Sequence, residues 1–276
     1  MRGQCMAGGA AMARSGSEDT LAQGSFVRAL RAEALKSRHG APVRLAIVLA
    51  LPFPLLAAFV ALSVPQFGLS YSPWNYWYAL LMPVSITLIA ATVANADARL
   101  GNHTLLSSGV PLHLAWGAKV AWCLALLLLS NLVVFAVYAV MSLVVPQGAA
   151  SMSAMLAVAL ALTVMGSWMI PATHFLTMRV GMLAGVFVPL AVQLALSLGW
   201  SVVPFWPACP PAATIVLPTA FLPVLPSGEP ASPGMALVES ISQGPDVALA
   251  LIVAAVLTAA LTAAGAMWLD RSEELR

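Results

Sequence analysis

The chain has 276 residues, of which 61% are hydrophobic and only 8% charged. A soluble globular domain carries roughly 25% charged residues, so that class is excluded. The net charge of +2 is too small to point to a nucleic-acid partner. Cys5, Cys123 and Cys209 stand far apart with no CxxC or CxH spacing, which argues against a disulfide framework and against a metal site.

Residues 1–19 are rich in Gly, Ala and Ser and read as a disordered tail, in which Met6 and Met12 are alternative initiators. Residues 20–43 read as a cytoplasmic amphipathic helix. Thr20 with Gln23 forms a capping box, and Gly40 with Pro42 stops the helix. Phe26, Val27, Leu30 and Ala34 share one face, and Arg28, Arg31, Lys36 and Arg38 lie around the rest. Such a helix lies on anionic lipid or docks a cytoplasmic partner, and the two are compatible. More than forty mostly hydrophilic residues precede the first apolar stretch. That is too long for a secretory n-region, so the first span reads as a retained anchor.

A hydrocarbon core about 30 Å thick takes roughly 20 apolar residues in helix. Six stretches meet this: 44–63, 77–96, 117–145, 150–171, 181–203 and 247–269. The third is longer than needed and is expected to tilt or project. Pro52, Pro54 and Pro189 are acceptable where neighbouring helices satisfy the freed backbone groups. With these spans, all twelve Lys and Arg residues fall on one side, from Arg2 to Arg44, then Arg99, Lys119, Arg179, Arg271 and Arg276. The other side carries Glu229, Glu239 and Asp246 but no basic residue. Basic side chains are retained on the cytoplasmic side during insertion. The expected fold is therefore an all-α, multi-pass protein of the inner (cytoplasmic) membrane. Its six-helix transmembrane domain covers 44–270, with both termini and the tail 271–276 in the cytoplasm.

Tryptophan prefers the headgroup boundary. Trp74, Trp77, Trp200 and Trp206 flank outer span ends, and Trp116, Trp168 and Trp268 lie near cytoplasmic ends, so all seven are expected as interface anchors. The cytoplasmic stretch 97–116 is semi-polar, with Gly101, Gly109 and Pro111 as breakers, and suits a short helix lying across the membrane face. The outer segment 204–246 is rich in proline yet carries Ile215, Val216, Leu217, Phe221 and Leu222. It is expected to dip back toward the membrane packed against protein, because lipid does not accept free backbone groups.

The spans hold no ionisable residue clearly at mid-bilayer, which weighs against ion-coupled transport. Asn131 and Gln193 are expected to hydrogen-bond between helices. Neither lysine stands in a GxxxxGK[ST] loop, so the chain has no phosphate-binding motif of its own. An intramembrane hydrolase would need Ser167 and His174 as nucleophile and base. "GSW" is not a GxSxG elbow and no acid stands near, so His174 reads as a polar residue snorkelling at the cytoplasmic boundary. No catalytic, cofactor-binding or metal residue is expected.

Five stretches in this order resemble one family. They are "RAEALKSRHG" (31–40), "WNYWYALLMPVSITLIAA" (74–91), "DARLGNHTLLSSGVPLHLAWGAKV" (97–120), "IPATHFLTMRVGM" (170–182) and "LPVLPSGEP" (222–230). Together, over about residues 28–270, they resemble lantibiotic-protection (immunity) permeases within the type-two ABC exporter permease superfamily. Ser227 stands where that family more often has Asn. The resemblance implies a non-enzymatic transport subunit that expels a lantibiotic or similar amphipathic peptide. It also implies a separate ATPase dimer carrying ATP and Mg, and a second permease, either homologous or this chain itself. Glu33 and Lys36 would then belong to the elbow helix. Asp97, Arg99, Leu105 and Leu106 would lie in the ATPase-coupling segment 97–115, and 204–246 would be the extracellular re-entrant gate. Other fitting classes are a type-two permease for a drug, lipid or polysaccharide, and a stand-alone membrane immunity or scaffold protein.

Overall fold

A computed structural model describes residues 26–38, 40–98, 111–232, 234–242 and 245–274. Helix α1 covers 26–37. It is followed by α2 (Ala41–Val48), α3 (Pro52–Ser63), α4 (Ser72–Tyr76), a π turn (Trp77–Leu81) and α5 (Met82–Ala98). Then come α6 (Leu112–Val144), α7 (Met152–Gly166), α8 (Met169–Arg179), α9 (Met182–Leu198), α10 (Pro210–Val216), α11 (Ala236–Ser242) and α12 (Asp246–Glu274). About 81% of the structure is helical and no strand forms among the described residues, so the fold is all-α.

Among the described residues, five helical stretches are long and apolar enough to cross a membrane: Ala41–Ser63, Ser72–Ala96, Leu112–Val144, Met152–Arg179 and Asp246–Arg271. The fifth expected span is a 17-residue apolar helix, α9, continued by a 3-10 turn at Trp200–Val202. The chain is thus a multi-pass membrane protein. α6 has 33 residues. At 1.5 Å per residue it is about 50 Å long, more than the ~30 Å hydrocarbon core, so a crossing at this length requires it to tilt or project. The helix begun at Met152 continues to Arg179 rather than ending at 171, leaving only Val180 and Gly181 as the turn into α9. Gly181 has φ +126, a backbone angle that side chains disfavour.

Each break in the helices has a local cause. Pro83 lacks an N–H and crowds the carbonyl four residues back, and the helix widens just before it. There the Met82 N–H reaches Trp77 O, five residues back. Pro52 and Pro54 interrupt the first span at 49–51. The Ala50 N–H turns to Ile47 O, and the Ala46 carbonyl it leaves is taken by Ser130 Oγ of α6 at 2.8 Å. A neighbouring helix satisfies the freed group, as the hydrocarbon environment demands. Pro171 likewise cannot bond the Ser167 carbonyl, which the Ile170 N–H takes at 3.1 Å, and α7 and α8 meet there in a bend.

α5 is central and packs against α2, α6, α8 and α9. Asn131 on α6 joins three helices: its Oδ1 accepts from Trp77 Nε1 and its Nδ2 donates to Thr163 Oγ1, both at 3.1 Å. α12 is peripheral, with only 11% of its apolar window buried against 61% for the Ser72–Ala96 stretch. At the end far from most basic residues, Tyr71, Trp74 and Tyr138 form a ring cluster with centroids 4.6–6.2 Å apart. Gly68, at φ +67, lets the Leu69 N–H reach Gln147 O at 2.9 Å, and any side chain there would strike that carbonyl.

The segment after α9 folds back onto protein. α10 is buried along its whole length against α7 and α9, and Ile215, Val216, Leu217 and Leu222 are at most 2% exposed. Their apolar character is explained by this burial rather than by contact with water.

Candidate functional site

The densest set of buried ionisable groups lies at the basic end. α1 turns Phe26, Leu30, Glu33 and Ser37 inward, whereas Val27 is 61% exposed. The inward stripe therefore differs from the apolar face read from sequence. The reason is Glu33, which is itself buried on that face. Its Oε1 accepts from Lys36 Nζ and from Lys119 Nζ, each at 3.0 Å. Lys36 is half-exposed, while Lys119 is buried on α6, eight residues into that helix. Lys119 is thus a core residue rather than part of a cytoplasmic connection. A buried ammonium needs a close counter-charge to offset its desolvation, and Glu33 supplies it.

Three further contacts tie this end to α6. His174 of α8 is fully buried, with Nε2 3.7 Å from Cys123 Sγ and its ring edge-on to Trp116 at 5.8 Å. His174 therefore does not snorkel to the boundary: the helix runs past it to Arg179, which places the imidazole in the interior. Trp116 Nε1 donates to the Thr262 carbonyl of α12 at 3.0 Å, and its ring lies directly over Gly265, where any side chain would collide with it. Lower down, His113 stands 3.7 Å from Asp270. α1, α8 and α12 are all fastened to the base of α6.

Of the six coupling residues expected, the structure places Glu33 and Lys36 together. Asp97 lies in the last turn of α5, with its side chain outside the described residues. Arg99, Leu105 and Leu106 lie outside them altogether. The tryptophans divide into two groups. Trp74, Trp77, Trp116 and Trp168 are at most 8% exposed, so they pack inside the bundle instead of meeting headgroups. An indole buries up to about 250 Å² and is as useful where helices cross as at a membrane surface. Trp200, Trp206 and Trp268 keep part of their surface, and Trp268 lies under Arg179 at 6.0 Å and edge-on to Phe175.

Ser167 and His174 are not hydrogen-bonded to each other. Ser167 Oγ pairs with Thr258 Oγ1 at 2.6 Å and donates to Val164 O at 2.7 Å, and His174 faces Cys123. Among the described residues no three His, Cys, Asp or Glu side chains come together. The Cys123–His174 contact had no sequence signal. Glu33 had one, since it follows Phe26 by seven residues and Leu30 by three, on the same helical face. The arrangement has the means to hold a basic amphipathic helix rigidly against the base of the bundle. The chain matches no protein-family model, no curated protein and no solved structure.

Proposed function

We propose that this chain is the permease subunit of an ABC exporter in the inner (cytoplasmic) membrane, with six spans and both termini in the cytoplasm. In this reading it expels a lantibiotic or similar amphipathic peptide, and a separate ATPase dimer supplies the energy. The observation that carries the reading is α1. A basic amphipathic helix is pinned by the buried Glu33–Lys119 pair to the foot of α6, near where α6 begins. Closure of the ATPase pair on ATP would push on 97–115. Because α1, α8 and α12 are each fastened to α6 there, the push would be carried as a rigid-body movement. The bends at 49–51 and at Ser167–Trp168, with the π turn, are where the spans would yield.

The test is survival. Cells lacking this chain should become sensitive to membrane-active lantibiotics, keep their tolerance of drugs and detergents, and recover with the chain restored. Unchanged lantibiotic tolerance, or an equal loss toward all amphiphiles, would contradict the peptide assignment.

A further inference from the structure

At the end opposite α1, Asn75 is 3% exposed and only half satisfied. Its Nδ2 is 2.8 Å from Tyr78 Oη and 3.3 and 3.4 Å from the carbonyls of Leu225 and Pro226. Two carbonyls can only accept, so the amide orientation is fixed and Oδ1 points away from them. Oδ1 accepts no hydrogen bond among the described residues. Gly228, at φ +89, lets the backbone pass beside it: a side-chain carbon there would stand 3.2 Å from Oδ1.

Asn75 lines a half-open cleft of about 240 Å³. Ala79 and Leu80 enter it from the π turn, Ser197 from the end of α9 and Ile215 from α10. Tyr76, Trp200 and Ser227 stand at its margins. Tyr76, Leu80 and Leu198 are 45%, 39% and 64% exposed, so the opening gives onto an apolar surface of the bundle. π turns recur at binding sites because the widened turn re-aims side chains.

We propose that this cleft is a docking subsite for an uncharged, apolar stretch of an amphipathic peptide, with one peptide N–H donated to Asn75 Oδ1. The inference rests on the exporter reading and names where that substrate is held. An acceptor in the wall of the cleft that no described donor reaches favours a ligand that brings one. No lining group carries a charge at neutral pH, so a charged stretch would lose its hydration without compensation. The volume is below the roughly 300–1,000 Å³ of sites that enclose a whole small molecule. It suits one bulky side chain with its peptide group, leaving the rest of the peptide in the surrounding membrane.

The experiment uses the full chain, extracted with its partners and placed in lipid nanodiscs. The probe is an uncharged acetyl-Leu-Trp-Leu amide carrying a diazirine, compared with the same peptide N-methylated at each peptide bond. Labelling should be saturable and map to residues 75–80 and 225–228. Affinity should fall about tenfold on N-methylation, the worth of one hydrogen bond to Asn75 Oδ1. It should fall at least as far in Ser227→Trp and in Leu80→Trp, which plug the cleft from exposed positions and leave the core intact. Equal binding of the N-methylated probe, labelling indifferent to both plugs, or displacement of the probe by phospholipid alone would overturn the inference. The last outcome would make the cleft a lipid site. If labelling fails while the chain still brings an ATPase with it, this inference falls and the exporter reading stands. If labelling succeeds without an ATPase, the cleft stands and the exporter reading falls.

Discussion

Glu33 and Lys119 show how one pair of residues decides where a helix goes. A lone lysine inside an apolar run is costly to bury, and a lone glutamate on an apolar face equally so. Together, 3.0 Å apart, each makes the other tolerable and α1 is fixed against α6. Breaking a buried pair costs up to about 3–5 kcal/mol, so Glu33→Leu, which takes the carboxylate from both lysines, should destabilise the protein more than Lys119→Met, which leaves Glu33 its contact with Lys36. Glu33→Leu with Lys119→Met should be milder than Glu33→Leu alone. Melting of the purified protein in detergent checks the order, and a double variant worse than Glu33→Leu would refute the pairing. Gly265 makes a similar test without charge. Gly265→Leu must displace the Trp116 ring, an overpacking cost of about 1–3 kcal/mol, seen as a lower melting temperature. An unchanged melting temperature would remove the Trp116–Gly265 contact from the account. At this scale sequence was a partial guide. Asn131 was legible as an inter-helix hydrogen bond because a lone amide in an apolar span has few other options. Trp74, Trp77 and Trp116 were misread as surface anchors, because nothing local distinguishes an indole at a span end from one at a helix crossing.

Among the elements, the apolar helices were legible because their length and hydropathy are set by the membrane itself. Their breaks were legible only in part. Pro52 and Pro54 marked one, but Pro83 alone did not announce the π turn before it, and nothing local marked the continuation of α8 to Arg179. The inward face of α1 was read one position off, since Glu33 outranks Val27 once Lys119 is there to receive it. The 97–115 stretch gives the prediction that belongs here. Leu105→Asp combined with Leu106→Asp should abolish substrate-stimulated ATP hydrolysis by the complex while membrane insertion and yield stay unchanged. ATP hydrolysis that still responds to substrate would contradict a coupling role.

For the whole molecule, a six-span reading puts the basic residues toward one side, and that is a statement about orientation which labelling can test. Cys209 lies in the segment assigned to the outer face and is partly exposed. With Cys209 as the sole cysteine, an impermeant maleimide should label intact cells, whereas labelling only after permeabilisation would invert the topology. Fold class was legible from composition and span length, while the subsites were not, because they arise where segments 151 residues apart meet, as Asn75 meets Pro226. The most direct measurement of the central claim is gentle extraction of the tagged chain from native membranes, with mass spectrometry of what accompanies it. The account predicts a stoichiometric polypeptide with a phosphate-binding loop. Recovery of this chain alone, under conditions that keep a control ABC complex together, would contradict it.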